Sequence, residues 1–370
     1  RVFWDADVWM LPCLLVLNPN AARRISRFRI GQERAATSIA LSYAEAGFPR
    51  LEAEGRRRKR FVPPVIRPFA AGSAMIRYPW ESDRHGREAG KTESVFQEHI
   101  NGSVCLGLQM SADWGLIKQH LVSEIKRKAG AWYMARSDKG PDGRRSLLGV
   151  MSPDESSIVN NDLYTNALAE WLTGLPFVRP KDGTGFLAFD GDPVRGYKQH
   201  AALLALFPLQ DRQAEAQAGG MLTRFSGKAS SDGPAMSVSL EALLWARQGE
   251  ADKALSIWRS SWGQYSRTGA FTERPKGGED VFVTGAAGCL NAVIYGFAGM
   301  RLNRAEPKNA AWKRRLRSGA WLSFTPNLPA SWDRIVLSRL QIDGVAHRVE
   351  LSRKGVLAIP RKVSRSTQPQ

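Results

Sequence analysis

Cysteine is scarce, with 3 in 370 residues. Cys13, Cys105 and Cys289 lie far apart in apolar surroundings with no paired spacing and no histidine ladder. That excludes a disulfide framework and a zinc site, and leaves three reduced core thiols. Long apolar runs are missing as well. No stretch approaches the ~18 uninterrupted apolar residues of a membrane span, and Asp5 and Asp7 interrupt the first apolar segment. No signal peptide is visible, so the expectation is a cytoplasmic chain with no membrane partner. Because the chain opens on Arg1 rather than Met, the natural start, with any targeting signal, is expected to precede it. The five histidines are scattered. A Gly-x-Ser-x-Gly elbow, a phosphate-binding Gly-x-x-x-x-Gly-Lys loop and a His-Glu-x-x-His helix are all absent, so no metal is expected and no cofactor is implied.

Acidic residues are outnumbered, 35 Asp+Glu against 53 Lys+Arg, for a net charge of +18. The excess gathers in Arg56–Arg60, Lys313–Arg317 and the tail from Arg353 to Arg365. These runs read as solvated loops and termini. A nucleic-acid groove would instead interleave basic residues with aromatics along one face, so no nucleic-acid partner is expected.

What is present is the composition of a globular protein, 43% hydrophobic and 24% charged, long enough for two domains or one large domain with an appendage. Residues 1 to 48 carry apolar positions at helical spacing, punctuated by Pro12 and Asn18-Pro19, and predict two helices. Pro63-Pro64 and Pro68 mark 51 to 71 as a loop or insertion. Helical patterns return at 95–128 and 163–172. Between Met236 and Trp262 two apolar stripes flank Gly249-Glu250, predicting a helical hairpin. Residues 280–299 read as a buried helix whose small residues allow close contacts. After about residue 320 the period changes to two, and Asp343-Gly344 predicts a hairpin with a type I′ turn. Two architectures fit a mostly helical chain with a β tail: a solenoid, for which the tetratricopeptide-like turn at 246–255 has no second copy one period away, and a closed ring of helical hairpins.

Four segments pair flat aromatics with carboxylates: Phe3-Trp4-Asp5-Ala6-Asp7, Tyr78-Pro79-Trp80-Glu81, Ser152-Pro153-Asp154-Glu155 and Phe271-Thr272-Glu273. Sugars are held this way, a pyranose face against an indole and hydroxyl protons on carboxylates and amides. With Lys198-Gln199 and Asn160-Asn161 the inventory suits a neutral polyol. Glycoside hydrolysis needs two carboxyl groups, one donating a proton to the leaving oxygen and one serving as nucleophile or activating water. Glu155 and Glu273 are the candidates. Both also read as ordinary turn residues, and spacing alone leaves the alternatives open. His99 reads equally as a supporting or capping residue and as a catalytic one.

In order along the chain, Phe3-Trp4-Asp5-Ala6-Asp7-Val8-Trp9-Met10-Leu11-Pro12, Tyr78-Pro79-Trp80-Glu81-Ser82, Gln97-Glu98-His99-Ile100-Asn101-Gly102, Gly149-Val150-Met151-Ser152-Pro153-Asp154-Glu155, Lys198-Gln199 and Thr284-Gly285-Ala286-Ala287-Gly288 resemble glycoside hydrolase family 65. Within it the chain looks most like the branch of hydroxylysine-disaccharide glucosidases and acid trehalases. The resemblance implies an (α/α)6 barrel over residues 1–305 and a C-terminal β module over 306–370, without the family's N-terminal β-sandwich. Only 31 residues separate Asn166 from Lys198, which implies a barrel short of one hairpin. Carried over by motif, Glu155 would be the general acid, and Trp4, Asp5, Trp80, Glu81, Lys198 and Gln199 would line a glucose subsite. Thr272-Glu273-Arg274-Pro275 resembles hydrolases that supply a glutamate as base, which implies an inverting α-glucoside hydrolase. Its substrate would be a small oligosaccharide or a glycosylated hydroxylysine. Lys276 and Arg274 keep a phosphorylase reading open, and Ser156-Ser157, where the family has Tyr-His, keeps open a sugar-binding relative without turnover.

Overall fold

The computed structural model describes residues 2–46, 74–90, 92–267, 269–275 and 281–360. The proline-rich basic segment at 51–71 and Lys276 lie outside them. The chain is mostly helical, with sheets gathered toward its C-terminal end. Its helices are α1 (Leu11–Leu17), α2 (Pro19–Gly31), α3 (Glu33–Ala46), α4 (His99–Asp113), α5 (Gln119–Arg136), α6 (Leu163–Thr173), α7 (Arg212–Glu215), α8 (Ala218–Phe225), α9 (Ala235–Arg247), α10 (Ala251–Gly263) and α11 (Val283–Asn291). None among the described residues is long and apolar enough to cross a membrane.

The two helices expected before residue 48 are three, preceded by a π-helical turn at Ala6–Met10. Pro12 lies in the first turn of α1, where its missing N–H costs nothing. Asn18 then caps α2, its side chain accepting from the Ala21 N–H at 3.1 Å. The α2–α3 break falls at Gln32, directly after Gly31, and the Gln32 side-chain amide donates to the Arg84 carbonyl at 3.2 Å. The pattern at 95–128 likewise splits, into α4 and α5. The expected α9–α10 hairpin is present, and α9 stops where Gly249 takes a φ of +95°.

Helix contacts run from the Ala6–Met10 turn to α4, from α4 to α6, from α6 to a 3-10 turn at Ala202–Ala205, then through α8 and α9 to α11, which packs back on Ala6–Met10. The interval from Gly174 to Ala201 contains no helix. The expected small-residue helix is α11, continued as a π-helical segment over Ala292–Phe297. A Cβ on Gly288 would lie 3.1 Å from the Met236 Cα, and one on Gly296 only 2.8 Å from the Leu243 Cα. The backbone of α9 therefore lies directly on this helix.

Two three-stranded antiparallel sheets follow. Trp321–Phe324 pairs with both Met300–Asn303 and Trp312–Arg315, and Val345–Ser352 pairs with both Arg334–Ile342 and Gly355–Pro360. The turn between Ile342 and Val345 has positive φ at both Asp343 (52°) and Gly344 (80°), the type I′ geometry expected. The hydrophobic core is continuous from the helices into these sheets, with Trp332 5.8 Å from Trp258 and 4.9 Å from Phe297, ring to ring. All three cysteines are buried free thiols.

The contact between α9 and the π-helical segment Ala292–Phe297 leaves no room for a side chain at Gly296. Gly296→Val should destabilise the fold by about 1–3 kcal/mol, read as a lowered melting temperature. An unchanged melting temperature would contradict this packing.

Candidate active site

Each candidate residue is set by a short backbone device at the end of the helical body where α6, α9 and α11 begin. Glu155 sits on the tip of a hairpin whose arms, Val150–Met151 and Ile158–Val159, pair in antiparallel register. Its N–H donates to the Ser152 carbonyl at 2.8 Å, and its φ is +58°. A left-handed backbone at a residue with a side chain costs on the order of 1 kcal/mol or more and persists only where the surroundings enforce it. Asp154 enforces it here: buried, it accepts the Gln199 backbone N–H at 3.0 Å and the Ser156 hydroxyl. The Gln199 side-chain amide is also buried and donates to the Pro153 carbonyl. The segment carrying Lys198 is thus stitched to the turn carrying Glu155, and the Lys198 ammonium reaches the Glu155 Oε2 at 2.7 Å.

Gly233 makes this approach possible, because a Cβ there would fall 2.5 Å from the Lys198 carbonyl oxygen. Glu273 follows the hairpin Ser266–Arg267/Ala270–Phe271 and offers its carbonyl to the first N–H of α9 at 3.2 Å. Asp5 precedes the Ala6–Met10 turn and accepts from the Thr284 hydroxyl, in the first turn of α11, at 2.9 Å. Burial pushes the Asp5 carboxyl from an ordinary 3.8 up to about 7; the Thr284 bond opposes this, the charges of Glu155 and Glu273 add to it, and Lys198 lowers it. Asp5, Glu155, Glu273 and Lys198 therefore share one electrostatic neighbourhood.

The Trp80-Glu81 segment reaches the same end by pairing with the first strand, Phe3 opposite Glu81, and Trp80 lies 6.1 Å from Phe3, ring to ring. The Glu88 carboxylate clamps the segment, accepting from the Trp80 and Glu81 N–H groups at 2.8 and 3.2 Å. Trp80 and Glu81 are half-buried. Trp4 is a core residue, 1% exposed, edge-on to the His99 ring at 4.6 Å. Burial holds His99 near a pKa of about 3, hence neutral at ordinary pH, and its Nε2 is 2.9 Å from the Gln97 Oε1, the position of a support for Trp4. The sequence reading gave Thr284, Gly233 and Glu88 no role and did not foresee that Asp154 braces the turn. Asp154 and Thr284 stand inside the quoted motifs, but their partners Gln199 and Asp5 are remote in the chain.

No family model matches the chain. It is 25% identical over 365 residues to a kojibiose hydrolase of Mucilaginibacter mallensis, covering 88% of this chain and 48% of that protein. It is 24% identical over 364 residues to a protein-glucosylgalactosylhydroxylysine glucosidase of Dictyostelium discoideum, covering 88% and 45%. The resemblance to glycoside hydrolase family 65 holds. The chain spans about half the length of these curated relatives. A solved structure named as a kojibiose phosphorylase from human microbiome superposes with a TM-score of 0.69 at 15% identity, over 98% of this chain and 53% of that one, and shows the shared fold.

Asp5 yields a pH test. Between 3.8 and about 7 the folded chain keeps a proton on Asp5 that the unfolded chain releases, so this residue's contribution to stability falls as pH rises through that window. Asp5→Asn carries no such proton. Its unfolding free energy should gain on the wild type as pH rises from 3.8 to about 7, measured by denaturant titration. Parallel pH curves would contradict the burial of Asp5.

Proposed function

We propose that the chain is an inverting α-glucoside hydrolase that releases glucose from an α-linked disaccharide-like unit. The observation that supports it is the convergence of Glu155, Glu273, Asp5 and Lys198 on one electrostatic neighbourhood, with Glu155 held on a left-handed backbone. In this reading the helical body is an (α/α)6 barrel short of one hairpin, and the sheets after it are the β module, which starts at the strand Met300–Asn303 and so a few residues before the expected boundary at 305/306.

Glu155 is the general acid. Lys198 occupies its Oε2, which leaves the other oxygen to hold the proton and face the glycosidic oxygen. Glu273, on a loop of its own beside the start of α9, takes a proton from water on the opposite face of the sugar. Attack by that water inverts the anomeric carbon as the leaving group accepts the proton of Glu155. Inversion requires room for the water, with the two carboxyl groups about 6.5–9.5 Å apart. Asp5, Trp80, Glu81 and Lys198 bind the glucose unit, Asp5 holding hydroxyls. Trp4 acts from beneath through its packing on His99, and Gln199 through its grip on Pro153.

Two named relatives, a kojibiose hydrolase and a glucosylgalactosylhydroxylysine glucosidase, suggest glucose linked α to glucose or galactose as the substrate class. A phosphorylase is the second reading, favoured by exposed Arg274 beside Glu273. The Lys198–Glu155 ion pair favours a third, a sugar-binding relative without turnover.

The test is glucose release from a panel of α-linked disaccharides with and without phosphate. Release without phosphate, reduced roughly 10²–10⁴-fold in both Glu155→Gln and Glu273→Gln, is the expected result. Release only with phosphate would establish the phosphorylase, and glucose binding without release the sugar-binding relative.

A further inference from the structure

A cleft of about 1280 Å³ opens at the end of the helical body away from the candidate catalytic residues. Its walls are the C-terminal ends of α4, α6 and α9, the 207–215 segment, and the loop that follows the strand Met300–Asn303. The candidate catalytic residues lie where α6 and α9 begin, and this cleft lies where α4, α6 and α9 end. With 13 to 15 residues in α9 and α4 at about 1.5 Å per residue, the two are roughly 20 Å apart. The cleft is not an extension of the glucose subsite, and its volume exceeds the ~300–1,000 Å³ of a pocket for one drug-sized molecule.

Its chemistry is unlike that of the chain as a whole. The chain carries +18, yet the lining holds four arginines and five carboxylates. The carboxylates are already paired: Asp113 with Arg304 at 3.4 Å, Glu215 with Arg301 at 2.5 Å, Asp211 and Glu170 with Arg179 at 3.1 and 3.4 Å, and Glu306 with Lys313 at 2.8 Å. A polyanion would meet the carboxylates and a polycation the guanidinium groups. Between the ion pairs stand Gln248, Asn303 and Asn309 and the half-buried indole of Trp171, over one face of which the Lys126 ammonium lies 3.9 Å from the ring centroid; Gln109, Gln210, Gln213 and Asn327 also line the cleft but already donate to Asp113, the Leu302 carbonyl, Glu170 and the Ala246 carbonyl. Planar amides and paired charges both donate and accept, which matches hydroxyl groups that do the same.

We propose that this cleft binds a neutral oligosaccharide, as a second carbohydrate site separate from the candidate catalytic one. It would hold a glycan chain against the part of the Trp171 indole that Lys126 leaves uncovered and against the amides of Gln248, Asn303 and Asn309, with little dependence on salt because the carboxylates and cations of the lining nearly balance.

The experiment is calorimetric titration of the wild-type chain with maltohexaose, in the presence and absence of saturating glucose. Binding that persists under saturating glucose and at raised salt, and that weakens about tenfold in Trp171→Ala, is the expected result. Gln248→Ala, at an exposed lining position, should weaken it in the same direction and keeps the test informative if Trp171→Ala fails to fold. Glu155→Gln should leave this binding unchanged, so a failed catalytic assignment and a failed cleft assignment are told apart. Complete competition by glucose, or binding that a sulfated glycan supports and maltohexaose does not, would overturn the proposal.

Discussion

The buried ion pair between Asp7 and Arg29 is the constraint on which the rest of the candidate site depends. Arg29 is fully buried, its Nη2 lies 2.6 Å from the Asp7 Oδ2, its Nη1 donates to the Ser82 hydroxyl at 3.1 Å, and its carbonyl accepts from the Tyr78 hydroxyl. One guanidinium thus joins α2 to the segment bearing Trp4 and Asp5 and to the segment bearing Trp80 and Glu81. Burial raises the Asp7 carboxyl above its ordinary range even with the arginine beside it. Removing either partner would strand a charge in the core at a cost of about 3–5 kcal/mol. α4 closes over the pair at Gly107, where a Cβ would lie 3.1 Å from the Asp7 Cβ.

The same economy governs the acid turn. Asp154 and Gln199 lie 45 positions apart, yet one bond between them fixes the left-handed backbone at Glu155 and the reach of Lys198. The loops at this end carry polar groups whose partners are remote in sequence. The opposite end has been arranged differently, with every carboxylate of its cleft paired to a cation. The two polar ends of the helical body thus differ in character, which is the basis for proposing chemistry at one and glycan attachment at the other.

Local signals made much of this architecture legible. The α9–α10 hairpin followed from two apolar stripes around Gly249-Glu250, the type I′ turn from Asp343-Gly344, and the buried small-residue helix from its glycines and alanines. Breaks inside a continuous helical pattern were harder to place: α3 separates from α2 just after Gly31, a residue that helices tolerate as readily as they end on. The strand Met300–Asn303 escaped because four residues give too short an alternation to distinguish from a helix end. At the site, the motifs named residues that the fold brings near one another, but not how each is held. Trp4 reads as a stacking platform, whereas its ring is enclosed by the core against His99. Gln199 reads as a ligand, whereas its amide is committed to Pro153. Which polar side chains face a cavity and which brace the backbone is decided by partners that spacing does not reveal.

The most direct test of the central claim, that Glu155 and Glu273 act from opposite faces of one sugar, is the anomer first released. Proton NMR during the opening turnovers on an α-linked disaccharide should show β-glucose appearing before mutarotation produces the α form. If α-glucose appeared first, the two carboxylates would be working by retention, and the pairing of Glu155 as acid with Glu273 as base would be wrong.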